Sequence, residues 1–363
     1  MSRTGAAGLV GLALVLAPAA PWPAPAGGDD RPPLVLPPGF RARVFAAGLP
    51  APRALGVDPT GAVLVSLSSL GKVVALVPAA GGPPRVVETA AGLHLPHGLA
   101  FRGGDLYVAE TGRVLRFRYD TRTRLASAPV PVVTDLPAGA HHWTRSIAFG
   151  PDGRLYVAIG SSCDVCREAD ARRAAIMSYA ADGTDARTVA TGLRNPVGLA
   201  FQPASGVLWT TINERDWRRG GGPPDYVTAV PAGSAFGWPD CYALDGAFLP
   251  DPELPEPRPC QGLTRPTLEL PPHSAPLGMT FHRGSLFVAL HGSRAELPEA
   301  GYKIIRLVAD GRGRARAEDF ATGWRAGARV WGRPVDLIGG RDGALYVSDD
   351  HGGRIVRITG PRL

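Results

Sequence analysis

Gly98-Leu99-Ala100-Phe101, the turn Gly103-Gly104-Asp105 and then Leu106-Tyr107-Val108-Ala109 form an apolar strand, a tight turn and a second apolar strand. Read alone, this is one β-hairpin. The pattern returns five more times. It is Ala54-Leu55-Gly56-Val57 with Val63-Leu64-Val65, then Ser146-Ile147-Ala148-Phe149 with Leu155-Tyr156-Val157-Ala158. It is next Gly198-Leu199-Ala200-Phe201 with Val207-Leu208-Trp209, and Gly278-Met279-Thr280-Phe281 with Leu286-Phe287-Val288-Ala289. The last copy is Asp336-Leu337-Ile338 with Leu345-Tyr346-Val347. Six copies of one hairpin, roughly 45–80 residues apart, predict an all-β chain folded as a six-bladed β-propeller. Further strands are expected at Val114-Leu115-Arg116-Phe117, Ile176-Met177-Ser178-Tyr179, Ile304-Ile305-Arg306-Leu307 and Ile355-Val356-Arg357-Ile358.

Composition agrees. Of 363 residues 45% are hydrophobic and 20% charged, which excludes a disordered chain. The 47 glycines and 37 prolines punctuate apolar runs instead of forming one tract. The formal charge is +7, yet Lys72 and Lys303 are the lysines and the rest of the cations are arginines. No basic stripe interleaved with aromatics marks a nucleic-acid surface. Arginine suits small anions, because its planar fork grips carboxylates bidentately.

Residues 1–26 read as a signal peptide: Arg3 is the positive end, Gly8 to Ala17 the apolar stretch and Ala24-Pro25-Ala26 the cleavage site. The propeller is then expected over residues 27–363, with no stable membrane span, in an exported, periplasmic or extracellular bacterial protein. Four cysteines in such a compartment give two disulfides with three possible connectivities, of which Cys163–Cys166 with Cys241–Cys260 is preferred.

Topology alone gathers a site. The start of the first strand and the end of the second lie at one edge of a hairpin, and in a propeller that edge of every blade faces one mouth of the channel. The residues there are Arg53, His97, His142 with Arg145, Arg194 with Asn195, His273, and Arg333 with Asp336. Glu110, Ser161, Asn213 with Glu214, His291, and Asp349 with Asp350 complete the ring. The opposite turns are ordinary Gly, Pro and Asp turns. Converging arginines with an asparagine suit a flat polycarboxylate, and a neutral histidine beside them suits a general base. Carboxylates and carbonyls of the 213–225 segment, with Glu214, Asp216 and Asp225 as ligands, suit a hard cation such as Ca²⁺.

Several stretches carry a family likeness. They are Leu36-Pro37-Pro38-Gly39-Phe40, His142-Trp143-Thr144-Arg145-Ser146-Ile147-Ala148-Phe149-Gly150-Pro151-Asp152-Gly153, and Gly192-Leu193-Arg194-Asn195-Pro196-Val197-Gly198-Leu199-Ala200-Phe201. Pro223-Pro224-Asp225-Tyr226, Phe236-Gly237-Trp238-Pro239, Gly301-Tyr302-Lys303 and Gly332-Arg333-Pro334-Val335-Asp336 extend it. Over residues 35–360 the chain resembles the soluble PQQ-dependent glucose/sorbosone dehydrogenases, nearer the L-sorbosone dehydrogenase-like branch. The resemblance implies PQQ and Ca²⁺ at the channel mouth, oxidation of an aldose or sorbosone-type sugar at C1, and electrons leaving to a separate acceptor. It implies His142 as the base, Arg194 as the group that stabilises the reducing cofactor, and Asn195, Arg145 and Arg333 as cofactor ligands. Lys303 and Arg294 are further candidates.

Departures are also visible. The glucose enzymes have Asp where this chain has Ser161, so Asp164 is a candidate substitute; their spacing would make His141 the base, and they have Gln where this chain has His97. A non-catalytic binding propeller and a calcium-dependent lactonase-like hydrolase are the alternatives.

Overall fold

The structure, a computed structural model, describes residues 32–139, 141–216, 222–292, 300–309 and 315–361. The segment read as a signal peptide and Arg294 lie outside these residues. Among the described residues there are six four-stranded antiparallel blades and no α-helix, as the repeat predicts. Blade one is Leu55–Val57, Val63–Leu67, Lys72–Val77 and Arg85–Ala90. Blade two is Leu99–Arg102, Asp105–Ala109, Val114–Tyr119 and Ala126–Val133. Blade three is Arg145–Phe149, Leu155–Ile159, Ala175–Tyr179 and Arg187–Thr191. Blade four is Pro196–Phe201, Leu208–Ile212, Asp225–Ala229 and Leu268–Leu270. Blade five is Pro276–His282, Ser285–Leu290, Lys303–Ala309 and Ala315–Ala321.

The sixth blade closes the ring. Pro334–Gly339, Leu345–Asp349 and Arg354–Thr359 come from the end of the chain, and their outermost partner is Arg41–Ala47 from its beginning. The register runs from Arg41 opposite Thr359 to Ala47 opposite Arg354, so the two ends of the described chain fasten one another and the outer side of Arg354–Thr359 is covered.

The repeats superimpose in register. Leu55, Leu99, Ile147, Leu199, Met279 and Leu337 stand opposite Val65, Val108, Val157, Thr210, Val288 and Val347 on the neighbouring strand. The recurrent glycine has a spatial cause. A Cβ on Gly98 would lie 2.6 Å from the Arg145 carbonyl oxygen of blade three, and one on Gly278 2.0 Å from Asp336 Oδ1 of blade six. Inner strands of successive blades approach so closely that no side chain fits between them. The core lies between blades, for example where Tyr107 and Ala109 of blade two pack on Ile147, Leu155 and Val157 of blade three.

Between the third and fourth strands of blade four the chain makes a long excursion. Ser234–Ala235 adds a parallel strand to Arg187–Thr191, and Cys241–Leu244 pairs with Ala247–Pro250. Both preferred disulfides form, Cys163–Cys166 and Cys241–Cys260. No helix of the described residues is long and apolar enough to cross a membrane.

Candidate functional site

The channel is lined by the inner strands and holds a cavity of about 320 Å³, with His97, Ser146, Thr280 and Asp336 among apolar walls. Its polar mouth is the predicted one, and cross-blade bonds stitch it together. Arg53 of blade one meets Asp350 of blade six at 2.7 Å, and His291 of blade five meets the same carboxylate at 3.0 Å. Arg333 donates to the carbonyls of His291 and Gly292 and lies over the Tyr302 ring. Asp225 of blade four accepts the Ala275 amide of blade five at 2.8 Å.

His142, Arg194 and Asn195 come together. His142 precedes the inner strand of blade three and packs on Gly160: a Cβ on that glycine would lie 2.5 Å from both His142 Cβ and Asn195 Oδ1. His142 Nδ1 is 3.0 Å from the Ser161 carbonyl oxygen and 3.0 Å from Ser161 Oγ. A ring nitrogen facing a carbonyl oxygen is the donor, so Nδ1 carries the proton and Nε2 keeps its lone pair. Burial, the Arg194 charge and the His141 ring push this imidazole down to about 3, so it is neutral in ordinary buffers. His141 is exposed, its ring 4.8 Å from that of His142.

Arg194 is buried, and four of its five N–H donors are committed. Nη1 donates to the carbonyls of Asn213 and Glu214 at 3.0 and 2.8 Å, Nε to the Asp164 carbonyl at 3.2 Å, and Nη2 to Asp164 Oδ1 at 2.6 Å. Asp164 therefore does not stand in for the family carboxylate beside His142. Its charge lies on Arg194, and the Ser161 backbone orients the imidazole.

The other predicted ligands fare differently. Arg145 is fully buried; its Nη1 and Nη2 donate to the carbonyls of His142, Thr144 and Pro137 and so pin the loop that delivers His142, while its Nε is buried without a partner. Burial and Arg173 lower it to about 10. Lys303 turns outward to Asp319 on the outermost strand of blade five, 2.7 Å away. Asp225 is buried and spends both oxygens on the amides of Glu214 and Ala275. Asp216 is 73% exposed and pairs with His273 at 2.7 Å. Among the described residues, Glu214, Asp216 and Asp225 do not converge as metal ligands. The one converging trio is Cys163, Cys166 and Glu168, whose sulfurs are already joined to each other. Burial pushes Glu214 up to about 8 and Asp225 up to about 7.

Two groups at the mouth had no assigned role in the sequence. Arg53 lies over the Trp143 ring, and its Nε is buried without a partner. His97 is 4% exposed, stacks edge-on to Trp143, and neither of its nitrogens has a partner. Burial, with Arg53 and Arg145 nearby, lowers it to about 3. The repeat offset places both in the ring; only the packing shows that Arg53 Nε and both His97 nitrogens are unspent.

A family model described as TrAA12-like matches residues 34–361. The PQQ-dependent pyranose dehydrogenase of Coprinopsis cinerea is 27% identical over 398 residues, covering 89% of this chain and 54% of that protein. A Borreliella burgdorferi protein of uncharacterised function is 31% identical over 224 residues, 57% of each. The chain thus spans little more than half the length of these relatives. Among solved structures, a Trichoderma reesei enzyme of carbohydrate-active family AA12 has a TM-score of 0.81 at 23% identity, over 93% of this chain and 100% of that one. The holo PQQ domain of the Coprinopsis cinerea pyranose dehydrogenase has 0.78 at 24% identity, over 93% and 99%. At these identities the structural likeness speaks for the fold.

Proposed function

The chain belongs to the TrAA12-like family, and on that premise we propose that it is a PQQ-dependent oxidoreductase of sugars. The observation that carries the proposal is a neutral imidazole, its Nε2 free, beside a fixed guanidinium at the mouth of a propeller channel. The chemistry of the unspent groups fits a flat, polar, anionic cofactor. Asn195 Oδ1, Arg53 Nε and both nitrogens of His97 are buried without protein partners, and Arg194 retains one N–H. The residues proposed to hold PQQ are Asn195, Arg53, Arg194 and Arg333; Arg145 and Lys303 serve the fold instead.

When bound, PQQ supplies the two-electron acceptor that these side chains lack. His142 takes the hydroxyl proton of the sugar at Nε2, because its Nδ1–H is held by Ser161. Burial, helped by the Arg194 charge, keeps the imidazole unprotonated before the sugar arrives, and that same charge stabilises negative charge that builds up at the mouth. The substrate is proposed to be an aldose or sorbosone-type sugar oxidised at C1, with a separate electron acceptor. Calcium is left out of the proposed chemistry, since the described carboxylates make no cage for it. Two disulfides and the apolar segment within residues 1–26 support export.

The test is a titration of the purified protein with PQQ, followed by absorbance, then an aldose panel with a dye acceptor. Stoichiometric uptake and dye reduction are expected. Lactone cleavage without PQQ would reassign the chain to hydrolysis, and absence of PQQ uptake would leave a binding propeller.

A further inference from the structure

Arg194 and His142 belong to different blades, yet both are set by one four-residue loop. The Cys163–Cys166 disulfide closes Cys163-Asp164-Val165-Cys166 into a ring. From it the Asp164 carboxylate takes Arg194 Nη2 at 2.6 Å, and the Asp164 carbonyl takes Arg194 Nε at 3.2 Å. The same carbonyl accepts Trp238 Nε1 at 3.1 Å, which ties the loop to the excursion of blade four. The Cys163 carbonyl accepts Ser161 Oγ at 2.6 Å, and Ser161 is the residue that orients His142. Just outside the ring, Glu168 accepts the Ser162 amide and hydroxyl at 2.6 and 2.7 Å.

An exposed ion pair contributes little, because water screens it and two long side chains must be ordered. This pair is different. Arg194 is 6% exposed at its side chain, Asp164 38%, and the acceptor is offered by a loop that a covalent bond has already ordered. Arg194 has two further carbonyl partners on Nη1, so the guanidinium is fixed at both ends of its plane. One N–H of Nη2 is left over, on the nitrogen that the Asp164 carboxylate holds.

We propose that Asp164, presented by the Cys163–Cys166 loop, is a positioning residue that fixes the Arg194 guanidinium and so aims its one uncommitted N–H. The inference rests on the functional reading for its kinetic consequence, not for its structural one. Asp164 need not touch sugar or cofactor; it acts through Arg194.

The experiment compares the parent with Asp164→Ala, Asp164→Asn and the double variant Cys163→Ser/Cys166→Ser. The first readout needs neither cofactor nor activity: the Arg194 Nη2–H cross-peak in the nitrogen-proton spectrum of the purified protein, assigned by its loss in Arg194→Lys. It is expected to be sharp and slow to exchange in the parent and in Asp164→Asn, whose amide oxygen still accepts. It is expected to be broadened or lost in Asp164→Ala and in the double serine variant, while the remaining spectrum stays folded. The second readout is dye reduction by the PQQ-loaded protein. Asp164→Ala should lower kcat about 10- to 100-fold with KM changed less than threefold, and Asp164→Asn should recover to within about threefold of the parent. An unchanged Arg194 signal in Asp164→Ala would overturn the proposal, as would equal losses of kcat in the alanine and asparagine variants. If the parent itself oxidises no sugar, the functional reading fails while the spectrum still decides the positioning role.

Discussion

Gly160→Ala isolates the site from the fold. Gly160 has no left-handed backbone, so it is glycine for space alone. An added methyl would lie 2.5 Å from His142 Cβ, 2.5 Å from Asn195 Oδ1 and 3.0 Å from His142 Cγ. Ordinary carbon contacts begin near 3.5 Å, so the shortfall is about 1 Å. His142 cannot turn aside by a rotamer change, because the clash is at its Cβ and Ser161 holds Nδ1. Overpacking of this kind costs about 1–3 kcal/mol of stability. A displacement of about 1 Å at a reacting group costs about 100-fold in rate. The control is Gly104→Ala in the hairpin turn at the other end of blade two, where φ is +87° and nothing lies within 4 Å. There the methyl meets no neighbour and the cost is backbone strain, about 1–2 kcal/mol. Urea midpoints should therefore fall by comparable amounts in the two variants, while kcat for dye reduction falls about 100-fold in Gly160→Ala alone. Parent-like turnover in Gly160→Ala, or matching losses of turnover in both, would refute the placement of His142 and Asn195 around one crowded glycine.

Other outcomes follow from the same geometry. His142→Ala should cut kcat at least 100-fold and His141→Ala less than fivefold, about the range general-base catalysis supplies; the reverse order in steady-state kinetics would move the base to His141. Phe45→Ala removes a ring 7% exposed and edge-on to Tyr346 at 5.0 Å in the closing blade, and should cost about 3–5 kcal/mol by chemical denaturation; a change below 1 kcal/mol would mean the closing strand is not packed as described. Asp350 is held down to about 2: burial alone would raise it, but His291 and Arg53 outweigh that. A depressed carboxylate adds stability above its ordinary value near 3.8 that disappears as pH falls towards 2. Asp350→Asn should accordingly flatten the loss of stability between pH 4 and 2, and an identical acid limb in the variant would count against the clasp.

The fold was legible because a propeller repeats one local solution. Alternating apolar strands and turns recur at Leu55, Leu99, Ile147, Leu199, Met279 and Leu337, with a close-packing glycine before three of them (Gly98, Gly198 and Gly278), and hairpin topology alone sends their polar neighbours to one mouth. That topology brings His142, Arg194 and Asn195 to one mouth, and His142 and Asn195 both crowd Gly160 there. What each cation does there was not legible, because arginine looks the same whether it faces a ligand or a carbonyl. Packing committed both terminal nitrogens of Arg145 to carbonyls of its own loop, turned Lys303 outward to Asp319 and left the Nε of Arg53 and of Arg145 unpaired. The pairing of Arg41–Ala47 with Arg354–Thr359 and the reach of Asp164 to Arg194 join residues 30 to more than 300 positions apart. Local propensity and repeat spacing carry no information about such partners. Hydrogen-bond direction and burial decide them, and these exist only once the blades have closed.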